Sequence, residues 1–177
     1  GPMTVNPDYA CGSVTAGTLA GATASPENPA SCFGTENDDV WFSFVATSTT
    51  HRISLLNVTP YVDMYHSLWT GGCGSLTLVS GSCSDSDVSN PTGLSIGATY
   101  FVRVNSYYGN VETCTFNVCI GTPPPPPAND ECATAEPITI VPNGQVTVSG
   151  TTMNATPSCT NACDEGDCAL KVMVCAA

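Results

Sequence analysis

Apolar residues in the early part of this chain come in short bursts, separated by clusters of Gly, Asn, Asp and Ser. Val40 to Thr47 reads VWFSFVAT, an aromatic and β-branched run that suits a pleated, half-buried surface. Arg52 to Val58, Met64 to Thr70, Leu76 to Ser80, Thr99 to Asn105 and Thr113 to Ile120 continue the pattern, and Thr18 to Ser25 reads as a first strand. No window shows sustained helical periodicity. Regular short strands with turn signals between them predict an all-β chain, an antiparallel β-sandwich of jelly-roll or immunoglobulin-like kind. Trp41 and Phe42 are adjacent, so they face opposite sides of their strand and one of them leaves the core.

The pattern stops at Pro123 to Pro127, five successive prolines. Such a run is extended polyproline II and cannot join a sheet interior. It divides the chain into a sandwich over residues 4–121, a linker over 122–128 and a second segment over 129–177. Gly1-Pro2-Met3 looks like a cleavage scar and is set aside. The second segment opens like the first. Asn129-Asp130-Glu131-Cys132 parallels Asn6-Pro7-Asp8-Tyr9-Ala10-Cys11, and Gly150-Thr151-Thr152 parallels Gly21-Ala22-Thr23. Asp164-x-x-Asp167 stands before CALKVMV as Glu36-x-x-Asp39 stands before VWFSFVA. It reads as an incomplete second β repeat, with strands expected near Ile138 to Thr152 and Cys168 to Cys175. Two or three strands bury too little to be stable alone. The segment must therefore dock, pair with another chain or be held by disulfides.

Eleven cysteines place the chain in an oxidising compartment, as a secreted or cell-surface protein. Zinc is the rival reading for Cys159, Cys163 and Cys168, but no His stands near them. Cys73 and Cys83 flank one short hairpin and are expected to bridge it. Cys11, Cys32, Cys114 and Cys119 allow three pairings, which spacing does not separate. Cys132 and Cys159 are the corresponding candidates in the second copy. The odd total leaves at least one thiol unpaired or paired between chains. The net charge of −12, with only 3 Lys and Arg, excludes a nucleic-acid partner, since phosphate binding needs clustered cations. No apolar run is long enough to insert in a membrane as a helix.

Several motifs together resemble the bacterial prepeptidase C-terminal domain in its cysteine-containing form, as found in repeated secreted proteins of Bacteroidetes. They are the opening at Asn129 to Ile138, DDVWFSF at Asp38 to Phe44, and TGGCGSL at Thr70 to Leu76. GLSIGATYFVRV at Gly93 to Val104 and TFNVCI at Thr115 to Ile120 complete the set. The resemblance implies a non-catalytic β-sandwich appended to secreted proteases and adhesins. It also implies Ca²⁺ held by an acid-x-x-acid pair with Asn and Asp of the opening segment. The matching positions are Asn6, Asp8, Glu36 and Asp39, and in the second copy Asn129, Asp130, Asp164 and Asp167. Pro7 interrupts the family's Asn-Asp pair. Oxygen ligands of this kind suit a hard cation that takes six to eight of them. A solvated acidic turn is the alternative.

Catalytic signatures are missing from the sequence: no G-x-S-x-G, no H-E-x-x-H and no local Cys-His motif. His51 and His66 lie in or beside strands and read as structural. Tyr61, Tyr65, Trp69, Tyr107 and Tyr108 could stack on sugars, with Tyr65 and Trp69 on one strand face. The same rings could equally pack the sandwich or its loops. The function expected is a calcium-supported binding or spacer module with an extracellular protein or glycan as partner. The alternative is a filament subunit that self-associates by strand complementation through its second segment.

Overall fold

The computed structural model describes residues 1–26, 32, 37–108, 113–140 and 142–156. The chain divides into two compact units, Gly1–Pro123 and Pro124–Ala177. The first is a two-sheet sandwich. Its described strands are β1 (Val5–Asn6), β2 (Thr15–Thr18), β3 (Val40–Val45), β4 (Arg52–Thr59), β5 (Met64–Gly72), β6 (Ser75–Leu78), β7 (Val88–Ser89), β8 (Thr99–Ser106) and β9 (Thr115–Gly121).

One sheet runs β1-β9-β4-β7, and β2 also pairs with β9; the other runs β3-β8-β5-β6. Pairing is antiparallel except for β1 against β9, where Val5 lies opposite Ile120. β9 is the spine of the first sheet. It holds β4 on one side and, end to end on the other, β1 by Ile120–Gly121 and β2 by Thr115–Val118. The core lies between the sheets and includes Phe44, Ile53, Leu55, Leu68, Val102, Val104, Phe116, Val118 and Ile120. Alternation along each strand puts these apolar residues on the inner face, as a half-buried sheet requires.

Six of the seven expected strands sit where the hydrophobic bursts placed them. The seventh differs: β2 covers Thr15–Thr18, ahead of the expected Thr18 to Ser25. Leu19 ends that run fully buried, and Ala22 N–H bonds back to the Leu19 carbonyl, which turns the chain. β1 and β7, two residues each, carry no periodicity to read. Met3, set aside as part of a scar, donates its N–H to the Ser43 carbonyl and packs on the core.

The bridge expected between Cys73 and Cys83 does not form; Cys83 is bonded to Cys32. The hairpin register explains this. Cys73 sits at the tip, beside the Gly72–Ser75 pair, whereas the chain after β6 keeps following β5 until Ser84 pairs with His66. That separates Cys73 and Cys83 by several strand residues at about 3.3 Å each, beyond the roughly 7 Å that a disulfide's Cα atoms tolerate. Cys11 pairs with Cys119, one of the open possibilities. Cys114 is buried with its Sγ 3.9 Å from Met64 Sδ, and Cys73 is exposed.

In the second unit the described residues hold a single 3-10 turn, Cys132–Thr134. The stretch Ile138 to Thr152, expected to contain a strand, has none among its described residues. In the first unit the corresponding β2 exists because β9 offers it a ladder. The second unit has no counterpart of β9 among its described residues, so nothing there offers that ladder. Cys159, Asp164, Asp167 and the expected strand from Cys168 to Cys175 lie outside the described residues.

Candidate functional site

An open groove of about 660 Å³ runs between the edges of the two sheets in the first unit. Its apolar wall comes from Trp41 and Phe42 on β3 and Phe116 on β9. Its polar wall comes from Thr115 and Asn117 on β9 and Asn57 on β4. Gly17 of β2 makes the close approach possible. A Cβ there would stand 2.7 Å from Phe116 Cζ and 2.8 Å from Phe42 Cζ, closer than packing allows. The Phe42 and Phe116 rings meet edge to face, 6.0 Å between centroids.

Asn57 reaches the groove because β4 is irregular there. Its register against β9 shifts between Leu56 and Thr59, and Asn57 takes φ of 56°. Asn is among the few side chains that enter this left-handed region readily. Bulges re-aim side chains and gather beside functional sites. Neither the Asn57 nor the Asn117 side chain has a hydrogen-bond partner among the described residues.

Trp41 is held by a buried polar cluster on the outer face of β3, β8 and β5. Arg103 stands opposite Trp41 across the β3–β8 ladder and is fully buried. Its Nε lies 3.2 Å from Asp39 Oδ2, with both side chains at 0% exposure. Trp41 Nε1 donates to Asp39 Oδ2 at 2.7 Å and to Ser25 Oγ at 2.8 Å. Ser25 N–H donates to Asp39 Oδ1 at 2.7 Å. Burial by itself would raise the Asp39 pKa, but the Ser25 hydrogen bonds and the Arg103 guanidinium together hold it below the ordinary carboxylate value. Trp41 and Trp69 pack edge to face at 5.6 Å, so the cluster fixes the ring that lines the groove.

The expected cation ligands are not gathered by the described structure. Asn6 belongs to the end of the sandwich where β9 finishes, bonding Ser13 and the Ile120 carbonyl. Asp8, at the same end, accepts from Ala10 N–H. Asp39 opens β3 at the opposite end, committed to Arg103. Its neighbour Asp38 receives Ser106 N–H and Oγ–H. In the second unit Asn129 is exposed and Asp130 accepts Thr156 N–H and Oγ1–H. Glu36 lies outside the described residues. Among the described residues no three His, Cys, Asp or Glu side chains converge to hold a metal. The described positions of the set are not brought together at one place, and Glu36, Asp164 and Asp167 lie outside the described residues.

The sugar platform of Tyr65 and Trp69 is overturned by burial, at 2% and 4% exposure. Both face the covered side of their sheet, and Trp69 Nε1 donates to Ser67. Tyr61 and Tyr108 are exposed. His51 is structural: Nδ1 bonds the Gly121 carbonyl while Nε2 accepts from Thr47 and Ser48 N–H. Burial lowers its pKa, partly offset by that carbonyl. His66 reaches Ser89 Oγ at 2.6 Å, but its buried Nδ1 meets no partner among the described residues. A His acting as base toward Ser would carry its proton on Nδ1 and leave a buried donor unpaired. The cheaper tautomer donates from Nε2, so the pair is a strut between the two sheets and not a nucleophile with its base. Sequence reading missed the Asp39–Arg103 pair. The available signal was a lone Arg amid the apolar run of β8, in a chain with so few cations.

The first unit is thus a two-sheet β-sandwich with an aromatic and amide groove at its edge. The family model described as galactose-binding-domain-like, T9SS-associated, matches residues 9–118 and 128–172, and the chain belongs to that family. A related β-domain family of Bacteroidetes type is thereby shown, without the prepeptidase assignment itself. No curated protein matches the chain.

Proposed function

We propose that this chain is an exported, non-catalytic module that binds a glycan in the groove between β3 and β2/β9. The observation that carries this reading is the pairing of aromatic surface with uncommitted amides. Trp41, Phe42 and Phe116 offer apolar area, and Asn57 and Asn117 offer donors and acceptors beside it. Sugars present this combination of C–H faces and ring hydroxyls, and pockets of about 300–1,000 Å³ suit ligands of that size. The family's description supports a carbohydrate ligand, and its association with type IX secretion supports export. The two disulfides among the described residues agree with an oxidising environment.

Galactose and a panel of other monosaccharides, titrated into ¹⁵N-labelled protein, test the reading. Shifts should concentrate on the Trp41 indole and the Asn57 and Asn117 side-chain amides. Asn57→Gly with Asn117→Ala should abolish them with little change in melting temperature, since glycine keeps the left-handed backbone at 57. Saturable binding elsewhere, or none with any sugar, would refute the groove as a glycan site. Calcium support is a separate proposal. It rests on the Glu36-x-x-Asp39 motif of the sequence, and a Ca²⁺-dependent rise in melting temperature that Glu36→Gln removes would establish it.

A further inference from the structure

The groove does not end at β3. A second hollow of about 340 Å³ lies on the other side of that strand, lined by Ser43, Cys73, Gly74, Leu76 and Phe101. Trp41 and Phe42 belong to both hollows. Phe42 packs inward on Phe116 and Trp41 packs outward on Trp69, so the two hollows meet across the strand itself.

β3 is the last strand of its sheet among the described residues, with β8 on one side only. Alternation tells which backbone groups face the open edge. Ala46 N–H bonds the Ala98 carbonyl on the β8 side, whereas the Ser43 carbonyl accepts from Met3 N–H on the open side. Trp41 is in step with Ser43, so its N–H and C=O also face outward. Met3 covers the edge at Ser43, and the Trp41 peptide groups are left between the hollows with no partner among the described residues. Val40 to Ser43 runs about 10 Å at 3.3 Å per residue, more than one sugar ring spans.

The lining narrows the ligand further. Neither hollow is lined by a charged side chain, in a chain with 15 Asp and Glu. The nearby Asp39 is buried against Arg103. An ionised sugar would lose water here and find no counter-charge in return. Hydroxyls find the Asn57 and Asn117 amides at one end and the outward Trp41 peptide groups at the centre, and C–H faces find Phe101 and Leu76 at the other end.

We propose that the site takes an uncharged oligosaccharide that crosses the free edge of β3, with one sugar beside Asn57 and Asn117 and another against Phe101. This rests on the groove being a glycan site and adds the length and the charge of its ligand.

The test compares galactose, glucose and mannose with β-1,4-linked galactotetraose, cellotetraose and mannotetraose, by calorimetry and ¹⁵N shifts on the full chain. The expected result is a tetrasaccharide that binds about tenfold tighter than its monosaccharide, the worth of one further aromatic contact. Its shifts should run from the Asn57 and Asn117 side chains to the amides of Leu76 and Phe101. Tetragalacturonate should not bind. Cys73 is exposed at the rim of the second hollow. Coupling it to N-ethylmaleimide should cancel the gain from length and leave monosaccharide affinity and melting temperature unchanged, and in Cys73→Ser the reagent should have no effect. Equal affinity for monosaccharide and tetrasaccharide, a gain that survives the maleimide, or equal binding of tetragalacturonate would overturn the proposal and leave the groove reading standing. Silence from every sugar would overturn both.

Discussion

Replacing Asp39 by Asn should lower stability by about 3–5 kcal/mol, the usual cost of removing one partner of a buried ion pair. Two donors converge on the carboxylate, Ser25 N–H on Oδ1 and Trp41 Nε1–H on Oδ2, and the Arg103 guanidinium stands 3.2 Å from Oδ2 as its ion-pair partner. An amide has one acceptor oxygen. Whichever way it is turned, its NH₂ faces at least one of those donors. It also leaves the buried Arg103 charge without the carboxylate. For a unit of this size, each kcal/mol shifts the melting temperature by about 3–5 °C, so the expected fall is about 9–25 °C. Calorimetry at pH 7 reads it directly. A second variant, Asp39→Leu with Arg103→Met, removes both charges at similar volume and should recover most of the loss. The pair also has a pH signature. The folded Asp39 pKa is depressed. Its stabilisation is therefore complete above the unfolded value of about 3.9 and is lost as pH falls through the lower folded value. Asp39→Asn should lack that part of the acid limb. A loss under about 1 kcal/mol, or a double variant as unstable as the single one, would refute the account.

His66 is pushed down to about 4 by burial. The unfolded chain takes up its proton first, so stability should fall by on the order of 3 kcal/mol between about pH 6.5 and 4. His66→Gln should flatten that slope in denaturant titrations. Gly17→Ala should destabilise by about 1–3 kcal/mol, through its clash with the Phe42 and Phe116 rings, and should also weaken any groove ligand seen by NMR. Cys32→Ser with Cys83→Ser opens a closure of 51 residues and should cost about 4 kcal/mol by loop entropy. Cys73, exposed at its hairpin tip, should react with iodoacetamide in the native protein, read by peptide mass spectrometry.

The strands were legible because each buries one face, and a buried face writes a period of two into the sequence. β4, β8 and β9 carry part of that alternation, while β3 and β5 were legible as aromatic and β-branched bursts bounded by turn residues. β1 and β7 are too short to carry any period; β9 and β4 recruit them. The Cys73–Cys83 expectation failed because closeness in sequence was taken for closeness in space. After β6 the chain runs on along β5, carrying Cys83 away from the tip. The outer face of β3, β8 and β5 was the hardest to foresee. Alternation says that Trp41, Arg103 and Trp69 point away from the core, and they do. Alternation cannot say that a distant segment carrying Ser25 lies over them. On this face Tyr65 and Trp69, the two rings of the expected sugar platform, are buried, and Asp39 is committed to Arg103 of β8. The groove depends on an irregularity at Asn57, which the letters N-V-T do not announce.

The Cys11–Cys119 bond changes how the first unit would carry mechanical load. Tension entering before β1 and leaving after Gly121 meets this covalent link across a sequence separation of 108 residues. The sandwich between the two cysteines is left out of the force path. Only the short stretches outside the bridge feel the pull, and there β1 and β9 run parallel, Val5 beside Ile120 and Asn6 beside Gly121. Pulled from the start of one and the end of the other, parallel strands are sheared, so their hydrogen bonds resist together instead of opening one at a time. A domain tethered in this way stays folded under strain that would unravel the same sandwich without its staple.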